Sequence, residues 1–207
     1  MRLADVQPIR YGDFLVEGER WPGFLHVIDH PQGRVLVDTG LIDLTPELDE
    51  QWSARFDLDA IPRDVVFVIN THLHFDHCGG NRLFAGTPIY VQRLERETAS
   101  AEGYATPGWV DFEGATYVEL EGEQELLPGL RVVPTPGHTA GHQSVLVETE
   151  DGLVVVAGDV AYTWDEFDEP TNDAAAMLTS LNPRRIWLAH EETPRDSDPA
   201  SPKKGAQ

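Results

Sequence analysis

The chain has 207 residues, 41% hydrophobic and 25% charged, the balance of a globular protein with room for one sizeable core. Its formal net charge of −21 is not ordinary: 36 acidic residues face 15 basic ones, and lysine occurs only at Lys203 and Lys204. Such a surface repels phosphate backbones and anionic lipid, which disfavours nucleic acid and membranes as partners; solubility is the simple account of the charge.

Other global features agree with an enzyme in a reducing compartment. The single cysteine, Cys78, excludes an intramolecular disulfide, and its place beside an aromatic, histidine-rich loop suits a small buried residue. The start, Met1-Arg2-Leu3-Ala4-Asp5, lacks the apolar core of a signal peptide. No apolar run approaches the roughly 20 residues that cross a bilayer, and a cytoplasmic location is expected. Residues 1–192 are predicted to form a single domain. The Pro, Ser, Asp and Lys of residues 193–207 predict a disordered tail.

In chain order, Phe24 to Ile28 and Arg34 to Asp38 are β-branched runs separated by the turn His30-Pro31-Gln32-Gly33. A helix is predicted from Thr45 to Phe56. Thr45 can cap it, Pro46 suits its first position, and Leu48, Trp52 and Phe56 share a face. Val65 to Asn70 reads as a strand buried on both faces. Pro88 to Val91 is a strand, Leu94 to Ala101 a helix, and residues 103–115 an irregular segment. Tyr117 to Leu120, Leu130 to Pro134, Ser144 to Val147 and Leu153 to Ala157 are strands. Asp173 to Leu181 is a helix and Arg185 to Ala189 a closing strand. Strands in runs with helices between them predict an α/β protein with two sheets covered by helices on their outer faces.

The chemistry concentrates in Thr71-His72-Leu73-His74-Phe75-Asp76-His77, which holds three of the chain's eight histidines just after the Val65 strand. Imidazole and carboxylate groups hold zinc or a similar divalent ion in open, catalytic sites. Side chains at i and i+2 of an extended segment point the same way, so His72 and His74 can share one ion. Further donors end other apolar runs: His138 in Pro134-Thr135-Pro136-Gly137-His138, Asp159 after Ala157-Gly158, and His190 after Ile186-Trp187-Leu188-Ala189. Strand exits are where α/β proteins gather their chemistry. His142, His26 and His30 are read as loop, strand and turn residues rather than ligands.

These elements, together with Val37-Asp38-Thr39-Gly40, resemble the metallo-β-lactamase superfamily from about Phe24 to His190. The resemblance implies a four-layer αβ/βα sandwich with the site at the shared edge of its sheets. It implies two divalent metal ions, zinc foremost: His72, His74 and His138 on one, Asp76, His77 and His190 on the other, Asp159 bridging. Asp38 would orient a ligand imidazole. Three local matches point to the quorum-quenching N-acyl homoserine lactonase branch: His72-Leu73-His74-Phe75-Asp76-His77-Cys78-Gly79-Gly80-Asn81, Gly137-His138-Thr139-Ala140-Gly141-His142-Gln143-Ser144, and Asp159-Val160-Ala161-Tyr162. By that resemblance a metal-bridging hydroxide opens the lactone ring, Tyr162 meets the carbonyl, and Asp76 passes a proton to the leaving oxygen.

The small-molecule partner would be a lactone or ester, and a homodimer is compatible with the branch. Trp21, Phe24, Trp109, Phe112 and Trp164 are candidates for an acyl groove. The segment from Asp159 to His190 is shorter than in such lactonases, and Glu191 stands where the branch commonly has aspartate. The competing expectations are a generic carboxylic-ester hydrolase or a glyoxalase II-like thioesterase with the same donors, and a non-catalytic metal-binding module.

Overall fold

The structure, a computed structural model, describes residues 1–99 and 107–197. Among these, a seven-stranded and a six-stranded sheet face each other. The first sheet begins with two long antiparallel strands, β1 (Val6–Val16) and β2 (Glu19–His30), followed by β3 (Gly33–Val37). Helix α1 (Pro46–Trp52) leads to β4 (Arg55–Phe56), β5 (Phe67–Ile69), helix α2 (Phe75–Cys78) and β6 (Pro88–Gln92). Helices α3 (Arg93–Ala99) and α4 (Pro107–Val110) precede β7 (Thr116–Leu120). The order is β4-β1-β2-β3-β5-β6-β7, with β3, β5, β6 and β7 parallel.

The second sheet contains β8 (Gln124–Leu127), β9 (Leu130–Pro134), β10 (Gln143–Thr149) and β11 (Gly152–Val156). After helices α5 (Trp164–Phe167) and α6 (Asp173–Ser180) come β12 (Arg185–Trp187) and β13 (Arg195–Asp196). Its order is β13-β12-β11-β10-β9-β8, and only β11 and β12 pair in parallel.

Strand alternation explains the layers. Val35, Val37, Phe67 and Ile69 point inward and meet Val145, Val147, Val154 and Val156 between the sheets. The intervening Leu36 and Val68 point outward, under α4 residues Trp109 and Val110. Leu146 and Val155 likewise point outward to meet Phe167, Ala174, Ala175 and Leu178 of α5 and α6. Both faces of each sheet are therefore covered, which is why these strands read as unbroken apolar runs. The layers run helix, sheet, sheet, helix, as the resemblance implies.

Several expectations differ from what the structure contains, among them the short helices α4, inside the segment expected to be irregular, and α5, which was not expected. The helix predicted to reach Phe56 ends at Trp52, because Ser53 takes a left-handed conformation (φ +41°). Arg55 and Phe56 instead pair with β1, where a Cβ on Gly12 would lie 2.2 Å from the Arg55 carbonyl oxygen. Strands β1 and β8 were not expected. The first is interrupted by Pro8, by Gly12 and by a register shift between Arg10 and Gly12, which hide its period. The tail expected to be disordered from residue 193 instead contributes β13, paired with β12 and held by a two-point Arg185–Asp196 ion pair. Residues 198–207, the rest of that expectation, lie outside the described residues, as do 100–106 of the predicted helix end and irregular segment.

Candidate metal centre

Every expected donor lies at one edge of the sandwich, and each arrives there from a strand end. Past β5 the chain bends at Thr71 and runs to His74, whose backbone is extended (φ −71°, ψ 158°), and then makes the single turn of α2. His72 and His74 thus project to one side, and Asp76 and His77 turn to another. His138 comes from the turn between β9 and β10, Asp159 from the exit of β11, and His190 from the exit of β12.

The donor atoms form two groups. His72 Nε2, His74 Nδ1 and His138 Nε2 lie 2.9 to 3.1 Å from one another. Three ring nitrogens at such spacing cannot all be satisfied by protons shared among themselves, since each neutral imidazole has one donor and one acceptor. Beside them, His77 Nε2 lies 3.3 Å from Asp159 Oδ1 and 3.6 Å from Asp76 Oδ2. His190 Nε2 lies 3.4 Å from Asp159 Oδ2 and 3.6 Å from Asp76 Oδ2. Asp159 Oδ2 also lies 3.6 Å from His138 and 3.9 Å from His72, so its carboxylate stands between the groups. His77 Nε2 and Asp159 Oδ1 are fully buried without a hydrogen-bond partner. Orphaned buried donors aimed at one point fit a bound cation.

The electrostatics point the same way. Burial disfavours charge on Asp159, but His77 and His190 overcome it and hold the carboxyl well below its usual range. Burial also opposes charge on His77, and Asp159, Asp76 and Asp38 nevertheless raise its pKa well above the ordinary value. His190 is raised against the same burial penalty by Asp159 and then Asp76. A field that draws protons to those nitrogens draws a cation into the space between them. His72 shows the opposite: burial, then His77, push its pKa well down, leaving a neutral imidazole with a free lone pair.

Groups behind the donors fix their orientation. Asp38 takes the Thr71 backbone N–H at 2.7 Å and the Thr71 hydroxyl at 2.8 Å, and it receives His77 Nδ1 at 2.8 Å. That leaves His77 Nε2 facing the centre. His190 Nδ1 meets the Pro22 carbonyl at 2.9 Å, with the same effect on its Nε2. His142 is no part of the cluster. Its Nε2 accepts the Asp159 backbone N–H at 3.1 Å and its Nδ1 meets Thr135 Oγ1 at 2.8 Å; burial, despite Asp159 nearby, lowers its pKa to about 3. His30 fastens its turn to the Pro128 carbonyl, and His26 is buried beside Trp187. Cys78 is buried with its thiol on the Leu73 carbonyl, and burial pushes its pKa far up, away from reactivity.

Two supporting residues escaped sequence reasoning. Glu95, fully buried on α3, accepts the Leu73 N–H at 2.7 Å and the Thr139 hydroxyl at 2.8 Å, tying the two histidine loops together. The Tyr11 hydroxyl donates to the Asp76 carbonyl at 2.7 Å from β1. Only a buried acid on a short helix and a tyrosine in an unrecognised strand could have signalled them.

Tyr162 stands at the rim, about one-third exposed, with its hydroxyl 3.4 Å from His138 Nδ1. Its ring lies edge-on to Trp21 at 6.0 Å, so Trp21 borders the centre. Of the other groove candidates, Trp109 is buried with its indole N–H on Asp43, Phe112 packs against the first core, and Phe24 is half-buried. Trp164 lies under Arg195. An aromatic run not anticipated leads away from His190 through buried Phe14 to half-buried Phe75 and Trp52.

With this geometry in view, residues 18–191 match the metallo-beta-lactamase superfamily, and the chain belongs to that superfamily. More particularly, it is 33% identical over 169 residues to an N-acyl homoserine lactonase of Bacillus cereus, covering 72% of this chain and 67% of that protein. It is 35% identical over 169 residues to one of a Bacillus species, covering 71% and 67%. Among solved structures, a mutant of B. thuringiensis AiiA with N-decanoyl-L-homoserine bound at the active site superposes with a TM-score of 0.79. That pair shares 25% identity over 92% of this chain and 94% of the other. An N-acyl homoserine lactone hydrolase with its product N-hexanoyl-L-homoserine at the catalytic metal center gives 0.78, again at 25% identity, with 92% and 94% coverage.

Proposed function

We propose that this protein is a dinuclear metal-dependent hydrolase that opens the ring of N-acyl homoserine lactones. One observation carries the reading: two groups of N and O donors share a buried carboxylate, with orphaned atoms facing inward, in a chain similar to lactonases. His72, His74 and His138 would hold one ion and Asp76, His77 and His190 the other, with the Asp159 carboxylate between them. Zinc suits this all-N/O set, which contains no thiolate. When bound, such a pair of ions supplies water ionised near neutral pH and polarises the carbonyl under attack.

The chain's own residues do the rest. Tyr162, its phenol kept protonated by burial and by Asp159, donates a hydrogen bond to the carbonyl oxygen as charge develops on it. Asp76, whose Oδ2 lies 3.6 Å from both His77 Nε2 and His190 Nε2, would take the proton that the attacking water gives up as it adds to the carbonyl and pass it to the ring oxygen as the ring C–O bond breaks. Half-buried Phe75 and Trp52 give an acyl chain apolar surface beyond His190.

A broader carboxylic-ester or thioester hydrolase is the second reading, favoured by a cavity of about 420 Å³ beside His138. Glu166, Glu169 and Asp173 line it, and such carboxylates suit a polar substituent better than an acyl chain. Metal analysis combined with hydrolysis of N-hexanoyl homoserine lactone, an aryl ester and S-lactoylglutathione separates the two. About two metal equivalents with fast ring opening is the expected result; two equivalents with ester or thioester cleavage alone would replace the lactone reading.

A further inference from the structure

Tyr162 sits in a short connecting segment whose only regular element is one turn, capped by Thr163 on the Glu166 N–H. It follows the exit of β11 and precedes α5, which is a single turn, and an isolated turn of helix is unstable in water. The tyrosine backbone N–H is met by Glu166 Oε2 at 2.8 Å, a partner on that same turn. Phe167 anchors the far end in the outer core, and Asn172 Nδ2 holds the Val160 carbonyl at 2.9 Å. Phe167 also meets the Trp164 ring edge-on at 5.6 Å, but this contact stays within the turn and ties it to no neighbouring strand.

Trp164 is also held from outside the turn, by the chain leaving His190. Glu191 Oε1 accepts the Trp164 backbone N–H at 3.0 Å, and the Thr193 carbonyl accepts the indole N–H at 3.3 Å. From β13, Arg195 lays its guanidinium over the Trp164 ring at 4.4 Å and near Phe167 at 5.7 Å. Its two terminal nitrogens grip Asp168 at 2.5 and 3.0 Å. A lone surface pair contributes little, but a two-point grip combined with an aromatic stack restrains both ends of one helical turn. Strand β13 is itself fixed by Arg185 on Asp196.

We propose that Glu191 and Arg195 are positioning residues, which clamp the Trp164 turn to the C-terminal strand and thereby hold the Tyr162 hydroxyl over the donor cluster. The role assigned to Tyr162 rests on the lactonase reading, whereas the clamp itself does not. It also gives a physical use to glutamate at position 191: its side chain spans from the His190 strand end to the Trp164 amide.

The test is a double-mutant cycle on the metal-loaded protein with N-hexanoyl homoserine lactone, joined to amide hydrogen exchange on the same proteins. Arg195→Ala is expected to lower kcat about threefold to tenfold, the scale of one lost cation–π contact, with KM little changed. In a Tyr162→Phe background it should lower kcat no further, because both changes remove the same hydrogen bond. Arg195→Lys, which keeps the charge and loses the fork, should fall between. Exchange at the Phe167 and Asp168 amides should quicken in Arg195→Ala and Glu191→Ala while β10 and β11 stay protected. Equal losses of kcat in both backgrounds, or unchanged exchange in the turn, would overturn the clamp. A wild-type protein that opens no lactone would sink the substrate reading instead, and exchange would then decide the clamp alone.

Discussion

Asp38 shows how much one carboxylate can organise. It is buried in a left-handed conformation (φ +62°) and receives three hydrogen bonds, two from Thr71 and one from His77. Asparagine tolerates the same backbone conformation and nearly the same volume, so Asp38→Asn isolates the charge. The amide still accepts through one oxygen but no longer favours the proton on His77 Nδ1, and the Nε2 lone pair is less firmly directed at the metal. We expect metal affinity to fall about 10–100-fold with the far-UV circular dichroism unchanged, read by competition with a chromophoric chelator. Unchanged affinity would mean that the His77 ring is oriented by packing alone.

At the scale of elements, the centre depends on loops that approach one another too closely for ordinary side chains. The turn carrying His138 presses on α3, where a Cβ on Gly141 would lie 2.2 Å from the Glu95 backbone nitrogen. That neighbour is backbone and cannot swing aside. Gly141→Ala should therefore cost about 3 kcal/mol or more of stability, seen as a lowered midpoint in thermal unfolding, and should weaken the His72-His74-His138 group. The seven candidate donors were legible in the sequence because each follows an apolar run or sits in the histidine loop; His138, Asp159 and His190 are ordinary one by one and stand out only together with that loop and the family resemblance. Glu95 and Tyr11 were not legible. Their roles are created by contacts 22 and 65 residues away in sequence, which no local period records. The same holds for β13: Arg195 and Asp196 look like disordered tail until β12 offers them an edge.

For the whole molecule, the centre joins the two sheets at one edge, so a bound ion contributes to the stability of the sandwich as well as to chemistry. Adding metal to chelator-stripped protein at about a thousandfold over its dissociation constant should stabilise it by about 4 kcal/mol, visible as a rise in the unfolding midpoint that grows with metal concentration. Acid acts in the other direction, even without metal. His26 lies between the sheets beside Trp187 with its Nε2 unpartnered, and burial, aided by His77, lowers its pKa to about 3. Its unfolded value is about 6.5. Above that pH neither state holds the extra proton and the residue leaves stability unchanged. Between about 6.5 and 3 the unfolded chain takes up a proton that the folded chain refuses, so stability falls by up to about 1.4 kcal/mol per pH unit. In metal-free protein, His26→Phe should remove one such proton from the linkage and flatten the plot of unfolding free energy against pH between pH 6 and 4. Parallel slopes for the two proteins would show that water reaches His26 and that the space between the sheets is not dry at this position.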